Sequence, residues 1–177
     1  MRKIVYYVAM SLDAYIVGAD NDVSKFVAAG PGVEQYLADL KDYDTVIMGR
    51  KTYEFGYDFG LIPGQPAYPH MKHYIFSDHL ELPKSHEKVE VVTPDIEFIK
   101  DLKKGNGSDI YLCGGGVFAG WLLDNQLIDA LKIKLNPILL GEGVRLFENT
   151  TVSCRLQEKE MNSYTDGLKI IHYSIHY

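Results

Sequence analysis

The sequence holds a single Trp, only two Cys, and no excess of positive charge. Cys113 and Cys154 are too few for a disulfide framework or a four-sulfur zinc site, and both read as small buried hydrophobes of a reducing compartment. Eighteen Lys and Arg face 24 Asp and Glu, a formal net charge of −6. Proteins that live on phosphate backbones carry a basic surface, so no nucleic-acid partner is expected. No run approaches the about 18 apolar residues that cross a bilayer, so no membrane partner is expected either. The segment Ile4–Ser11 follows Met-Arg-Lys, holds two Tyr and lacks a small-residue cleavage site, so it reads as a first strand and not a signal peptide. These absences point to the cytoplasm. The pairs His70/His73 and His172/His176 have no Cys or carboxylate cluster at ligand spacing, so no metal site is expected.

What is present fits one globular domain spanning 1–177. The chain has 177 residues, 46% hydrophobic and 24% charged, with a surplus of 13 Tyr. Ile4–Met10 is nearly all apolar and predicts a strand covered on both faces, central in a sheet. A long polar, glycine-containing loop follows over 11–32. Val33, Tyr36, Leu37 and Leu40 recur at the spacing of one helical face. Short strands are predicted over Thr45–Met48, Tyr74–Phe76 and Val89–Val92. Thr93-Pro94 opens a helix that carries Ile96, Ile99 and Leu102 and ends at Gly105. Asp109–Cys113 predicts a strand and Val117–Asp124 a helix. Leu131, Ile133 and Leu135 alternate with Lys132 and Lys134, which predicts a half-exposed strand. Leu156–Tyr164 and Leu168–Tyr177 flank Asp166-Gly167, a hairpin signal. The whole reads as α/β, with a mostly parallel central sheet and a C-terminal antiparallel hairpin.

Two junctions carry the chemistry. Thr45–Met48 runs into Gly49-Arg50-Lys51-Thr52, and Asp109–Cys113 runs into Gly114-Gly115-Gly116. Glycine lets backbone approach a ligand closely, and the helix start that follows offers free N–H groups to phosphate. Together they point to a phosphate-bearing cofactor. Gly114-Gly115-Gly116-Val117-Phe118-Ala119 also fits the G-x-G-x-x-A pattern of dinucleotide folds. That pattern wants an acidic residue about 20 positions on, where this chain has Lys132, Lys134 and Asn136, so a Rossmann domain is rejected.

Ala9-Met10-Ser11-Leu12-Asp13, then Met48–Glu54, then the glycine triplet with Asp129 beyond it, resembles the dihydrofolate reductase-like family. The Ser-Leu-Asp element and Asn136–Gly143 place the resemblance closest to the C-terminal reductase domain of the bifunctional riboflavin enzyme RibD. The resemblance implies a three-layer α/β/α fold and an NADPH-dependent reductase acting on a small heterocyclic or imine substrate, with 5-amino-6-(5-phosphoribosylamino)uracil reduction in riboflavin biosynthesis as the model. It implies that Gly49, Arg50, Lys51, Thr52 and Ser77 meet the NADPH phosphates. It implies that Gly114, Gly115, Gly116, Val117 and Phe118 cradle the pyrophosphate and ribose, where one Gly-Gly bond is often cis in the family. The resemblance also implies that Ala9 meets the nicotinamide, that Asp13 is the catalytic candidate and that the 11–30 loop folds over the site. A homodimer is also implied. Two features differ from the family pattern: Pro31–Tyr36 lacks the Leu-Pro-x-Asp/Glu element of dihydrofolate reductases, and Cys113 stands where RibD-type reductases carry Glu. Dihydrofolate reduction and a non-catalytic nucleotide-binding role are the alternatives.

Overall fold

The computed structural model describes residues 1–177. In chain order the elements are β1 (Ile4–Met10), β2 (Tyr15–Val17), α1 (Pro31–Asp39), β3 (Thr45–Gly49), α2 (Arg50–Phe55), β4 (Lys72–Phe76), β5 (Val89–Val92), α3 (Ile96–Lys104), β6 (Ile110–Gly114), α4 (Gly116–Asp124), β7 (Ala130–Leu135), β8 (Val144–Arg145), β9 (Arg155–Ser163) and β10 (Lys169–His176).

Eight strands form one sheet in the order β5-β4-β3-β6-β1-β7-β10-β9. β1 is apolar throughout because it is central and covered on both sides. Successive side chains of a strand point to opposite faces. Ile4, Tyr6 and Val8 enter the core under α3 and α4, beside Ile99, Phe118 and Leu122. Val5 and Tyr7 enter the core under α1 and α2, beside Leu40, Tyr53 and Met71, with Tyr36 packed against it. The result is the expected three-layer α/β/α sandwich. β5 through β7 run parallel, and β10 closes antiparallel on β7 and β9.

The final hairpin forms where expected. Gly167 takes φ +85 in the turn, a conformation open to glycine. The neighbouring Asp166 accepts from the Gly32 N–H at 2.9 Å, so the turn also caps α1. β9 is exposed along its whole length and is mostly charged and polar, as suits a sheet edge, with Leu156 and Met161 as its apolar positions. Asp129 ties the opposite end of the sheet, accepting from Ile4 N–H and from Lys103 Nζ, both at 2.7 Å.

Four sequence expectations are corrected. Leu37 does not share the buried face of α1 and is 54% exposed, because α1 packs through Tyr36 and Leu40. Asp95, not Thr93, caps α3, accepting from Glu97 N–H at 2.9 Å. The 11–32 segment is not all loop: β2 pairs antiparallel with β8 in a small second sheet. Lys134 is buried and Lys132 only partly exposed, because α1 covers that side of β7, its Asp39 pairing with Lys132 and its Tyr36 ring meeting Lys134.

Candidate active site

β3 and β6 are parallel neighbours, with Met48 level with Gly114. The helix after β3 goes to one face of the sheet and the helix after β6 to the other. In open α/β sheets, ligands bind outside the strand ends at such a reversal. The two glycine junctions meet there. A Cβ on Gly49 would stand 3.3 Å from the Phe118 Cβ, and one on Gly115 would stand 2.9 Å from Thr52 Oγ1. Gly115 also takes φ +96, which an L side chain rarely adopts. Gly116 is hemmed in by the 144–148 turn, whose Arg145 carbonyl would lie 2.4 Å from an added Cβ. The resemblance implied a cis Gly-Gly bond; instead every peptide is trans, and Gly114 and Gly115 make the turn at φ +150 and +96.

The N–H groups of Gly116, Val117 and Phe118 open α4 and have no acceptor within the helix. Val117 is half exposed, so this helix start faces solvent. Glycine backbone, free N–H donors and the positive helix end suit a pyrophosphate. Arg50 opens α2 beside it and forms an ion pair with Glu54 at 2.6 Å. Partly exposed pairs of this kind contribute about 0–1 kcal/mol, so re-aiming Arg50 at a ligand anion costs little. Lys51 is exposed and unpaired. Ser77 follows Phe76, which is level with Gly49. Its Oγ accepts from His79 N–H and Leu80 N–H at 3.1 and 3.0 Å and keeps its own proton free to donate.

On the opposite flank, Ala9 is a small, half-buried residue one position before the end of β1. Asp13 lies in the turn after β1. Its carboxylate accepts from Ser11 Oγ at 2.6 Å, from Leu140 N–H at 3.1 Å and from Gly141 N–H at 2.7 Å. The Ser11 hydroxyl and these amides hold its carboxyl down at about 2. Asn136, fully buried after β7, accepts from Val27 N–H at 3.0 Å and pins the long 11–30 segment over the strand ends.

Under α1 lies a wall that the sequence did not reveal. Tyr36 and Tyr111 hydroxyls are 2.8 Å apart, and the Tyr68 hydroxyl is 3.5 Å from Cys113 Sγ. Burial pushes the Tyr36, Tyr68 and Tyr111 hydroxyls and the Cys113 thiol up, so the wall is protonated and neutral. Lys134, level with Ala9, places its Nζ 4.7 Å from the Tyr36 ring centre. A separate cleft of about 310 Å³ opens further from the strand ends, between Asp39, Lys132, Glu160 and His172. Its Lys132 is already paired with Asp39 at 2.6 Å, and it lies away from the glycine junctions. His73, one of the histidines weighed for metal, is buried in β4 and bonded to the backbone at both ring nitrogens.

The family model for the RibD C-terminal domain matches residues 2–170. The chain belongs to the RibD C-terminal domain family. Among relatives of this RibD-type domain, the uncharacterized protein YwjB of Bacillus subtilis (strain 168) is 29% identical over 175 residues, covering 97% of each chain. A solved structure of a putative riboflavin biosynthesis protein from Shewanella sp. PV-4 superposes on the RibD-type domain with a TM-score of 0.82 at 27% identity, covering 100% of both chains. A dihydrofolate reductase from Enterococcus faecalis, solved with NADP(H), gives 0.68 at 13% identity over 98% of this chain and 95% of its own. That likeness establishes the dihydrofolate reductase-like fold. No helix of the domain is long and apolar enough to cross a membrane.

Proposed function

We propose that this RibD-type domain is an NADPH-dependent reductase that delivers hydride to a flat heterocyclic or imine substrate, resembling 5-amino-6-(5-phosphoribosylamino)uracil reductase. The observation that carries the proposal is the contact between two glycine junctions at the sheet's reversal point, with open N–H donors on one side and Arg50 on the other. Gly114, Gly115, Gly116, Val117 and Phe118 hold the pyrophosphate side. Gly49, Arg50, Lys51, Thr52 and Ser77 take the remaining phosphate, Arg50 through the planar fork that suits it. Bound NADPH supplies the hydride. Ala9 leaves room at the end of β1 for a ring to lie close. Asp13 stays ionised at neutral pH, so its part is to hold the 11–14 and 140–141 turns in register and to accept from substrate N–H or O–H groups.

Dihydrofolate reduction is the weaker reading, because α1 brings no carboxylate to the site: its only acidic residue in the first turn, Glu34, is exposed. We also infer a homodimer built on the exposed β9–β10 hairpin; sedimentation of a monomer at micromolar concentration would remove it. The proposal is tested by thermal shift with NADPH and NADH, followed by NADPH oxidation with dihydrofolate and with the phosphoribosylamino-uracil. Stabilisation by NADPH and oxidation with the uracil are expected. Stabilisation without oxidation of any heterocycle would favour a binding relative without turnover.

A further inference from the structure

Arg2, Lys103 and Lys134 are the three buried cations of this domain, and Lys132, two residues before Lys134 on β7, is half-buried. Arg2 pairs with Asp44, Lys103 with Asp129 and Lys132 with Asp39. Lys134 is 8% exposed and has no carboxylate and no hydrogen-bond acceptor within reach of its Nζ. Asp166, the carboxylate whose charge reaches it, makes no ion pair with it and is committed to the Gly32 and Leu168 N–H groups. The one polar-compatible neighbour of the Lys134 Nζ is the face of the Tyr36 ring, and a buried charge without an ionic or hydrogen-bonding partner is costly. Every polar side-chain atom fully withdrawn from solvent in this protein has a partner, so the unbonded Nζ must touch an open crevice.

The register says which crevice. Lys134 is level with Ala9, and Ile170 flanks it on the far side. Alternation along β7 puts Lys134 on the same face as Lys132, under α1. Across β1, the same face carries Tyr111 and Cys113 of β6. The floor of the crevice is therefore a small residue with one cation on one side and a neutral hydroxyl–thiol wall on the other. Lys132, next along that face, is neutralised by Asp39, so Lys134 is the cation left without a carboxylate there, and its charge, disfavoured by burial, is restored by an anion.

We propose that Lys134 is the substrate-recognition residue of this site and that the substrate is a planar heterocycle presenting a negatively charged ring oxygen to its Nζ. The proposal rests on the reductase reading for the identity of the crevice. The ammonium selects for a ring oxyanion and against an uncharged ring of the same shape, because only the former replaces the lost hydration of the cation. The tyrosine hydroxyls on the far side are bonded to one another and to Cys113, so they add no competing charge.

The test uses the full chain with three probes: barbiturate as a planar ring oxyanion, uracil as its uncharged counterpart, and inorganic phosphate as an anion without a ring. Binding is followed by calorimetry and by NMR of the reductively methylated lysine, with Lys134→Met and Lys134→Arg beside the wild type. Barbiturate is expected to bind wild type at least about tenfold tighter than uracil, the order of one charge-assisted hydrogen bond. It should shift the Lys134 methyl signal. That preference should vanish in Lys134→Met and persist in part in Lys134→Arg. Lys134→Met should also unfold at a higher denaturant concentration than wild type, since it removes an unpaired buried charge; a lysine kept for structure would give the opposite. Equal binding of barbiturate and uracil, or an undiminished preference in Lys134→Met, overturns the proposal. Phosphate binding as tightly as barbiturate overturns the ring-oxyanion form of it. NADPH affinity is measured in parallel: its absence in wild type defeats the reductase reading whatever Lys134 does, and its persistence in Lys134→Met locates the loss in the substrate crevice.

Discussion

The Gly141 N–H donates to Asp13 Oδ2 at 2.7 Å, binding the turn that leaves β1 to the segment that leaves β7. The candidate catalytic carboxylate is thus also the clasp between two segments that frame the crevice. Asp13→Asn is expected to loosen both turns, raising amide exchange at Leu140 and Gly141. Because the hydrogen bonds depress the Asp13 pKa, its stabilisation is full above the unfolded value near 3.8 and is lost as pH falls through about 2. Urea denaturation of wild type and Asp13→Asn should show a gap at pH 7 that closes toward pH 2. A gap unchanged across that range would contradict the clasp.

Arg50 and Glu54 set up a second expectation. Arg50→Ala should weaken NADPH about 10- to 100-fold, the worth of charge-assisted hydrogen bonds of about 1.5–3 kcal/mol. NADH should be almost unaffected. Glu54→Gln, which releases Arg50 from its present partner, should leave NADPH binding intact or tighter. Equal weakening of both nucleotides in Arg50→Ala would show that Arg50 does not read the extra phosphate.

Gly115 is required twice over, by its φ of +96 and by the 2.9 Å from an added Cβ to Thr52 Oγ1. Gly115→Ala should cost about 1–3 kcal/mol in chemical denaturation, the usual range for a residue forced into a sparsely populated backbone region. Thr52→Ala in the same chain relieves the contact but not the backbone, so it should recover only part of the loss. Full recovery would make the contact the sole constraint.

The framework of the fold is legible in the sequence for stated reasons. β1 is readable because a strand covered on both faces must be apolar at every position, and the hairpin because Asp166-Gly167 supplies its turn. The junctions at Gly49 and Gly114–Gly116 are readable because a helix start against a strand end needs small residues. What was hidden depends on tertiary cover. Lys132 and Lys134 alternate with Leu131, Ile133 and Leu135 as a solvent-facing pair would. Only the packing of α1 over β7, with Asp39 and Tyr36 meeting the two lysines, turns that face inward. β2 is three residues long and gains its partner, β8, from the far end of the chain. The tyrosine wall was visible only as a surplus of Tyr.

His73 gives the acid side of the stability profile. Burial pushes its pKa down to about 4, and its Nε2 accepts from Tyr68 N–H at 3.1 Å, which requires the neutral ring. The unfolded chain takes up this proton near pH 6.5 and the folded chain only near 4, so stability falls as pH drops through that window. The loss is on the order of 3 kcal/mol. His73→Gln, which keeps an acceptor without titrating, should flatten the profile between those limits. A profile as steep as the wild type's would place the acid sensitivity elsewhere.

At the far end of the sheet, Asp129 neutralises buried Lys103. Asp129→Ala should cost about 3 kcal/mol, toward the lower end for breaking a buried pair because a third of the Asp129 side chain is exposed. NADPH affinity, read at the opposite end of the strands, should not change. A loss of affinity without a loss of stability would contradict the structural role.

The most direct test is calorimetric titration of the full chain with NADPH and, separately, NADH. Saturable binding of NADPH with NADH at least about tenfold weaker, the difference expected for one charge-assisted contact to the extra phosphate, is the result predicted by the proposed cofactor site. No saturable binding of either nucleotide would contradict the assignment of the two glycine junctions as a cofactor site.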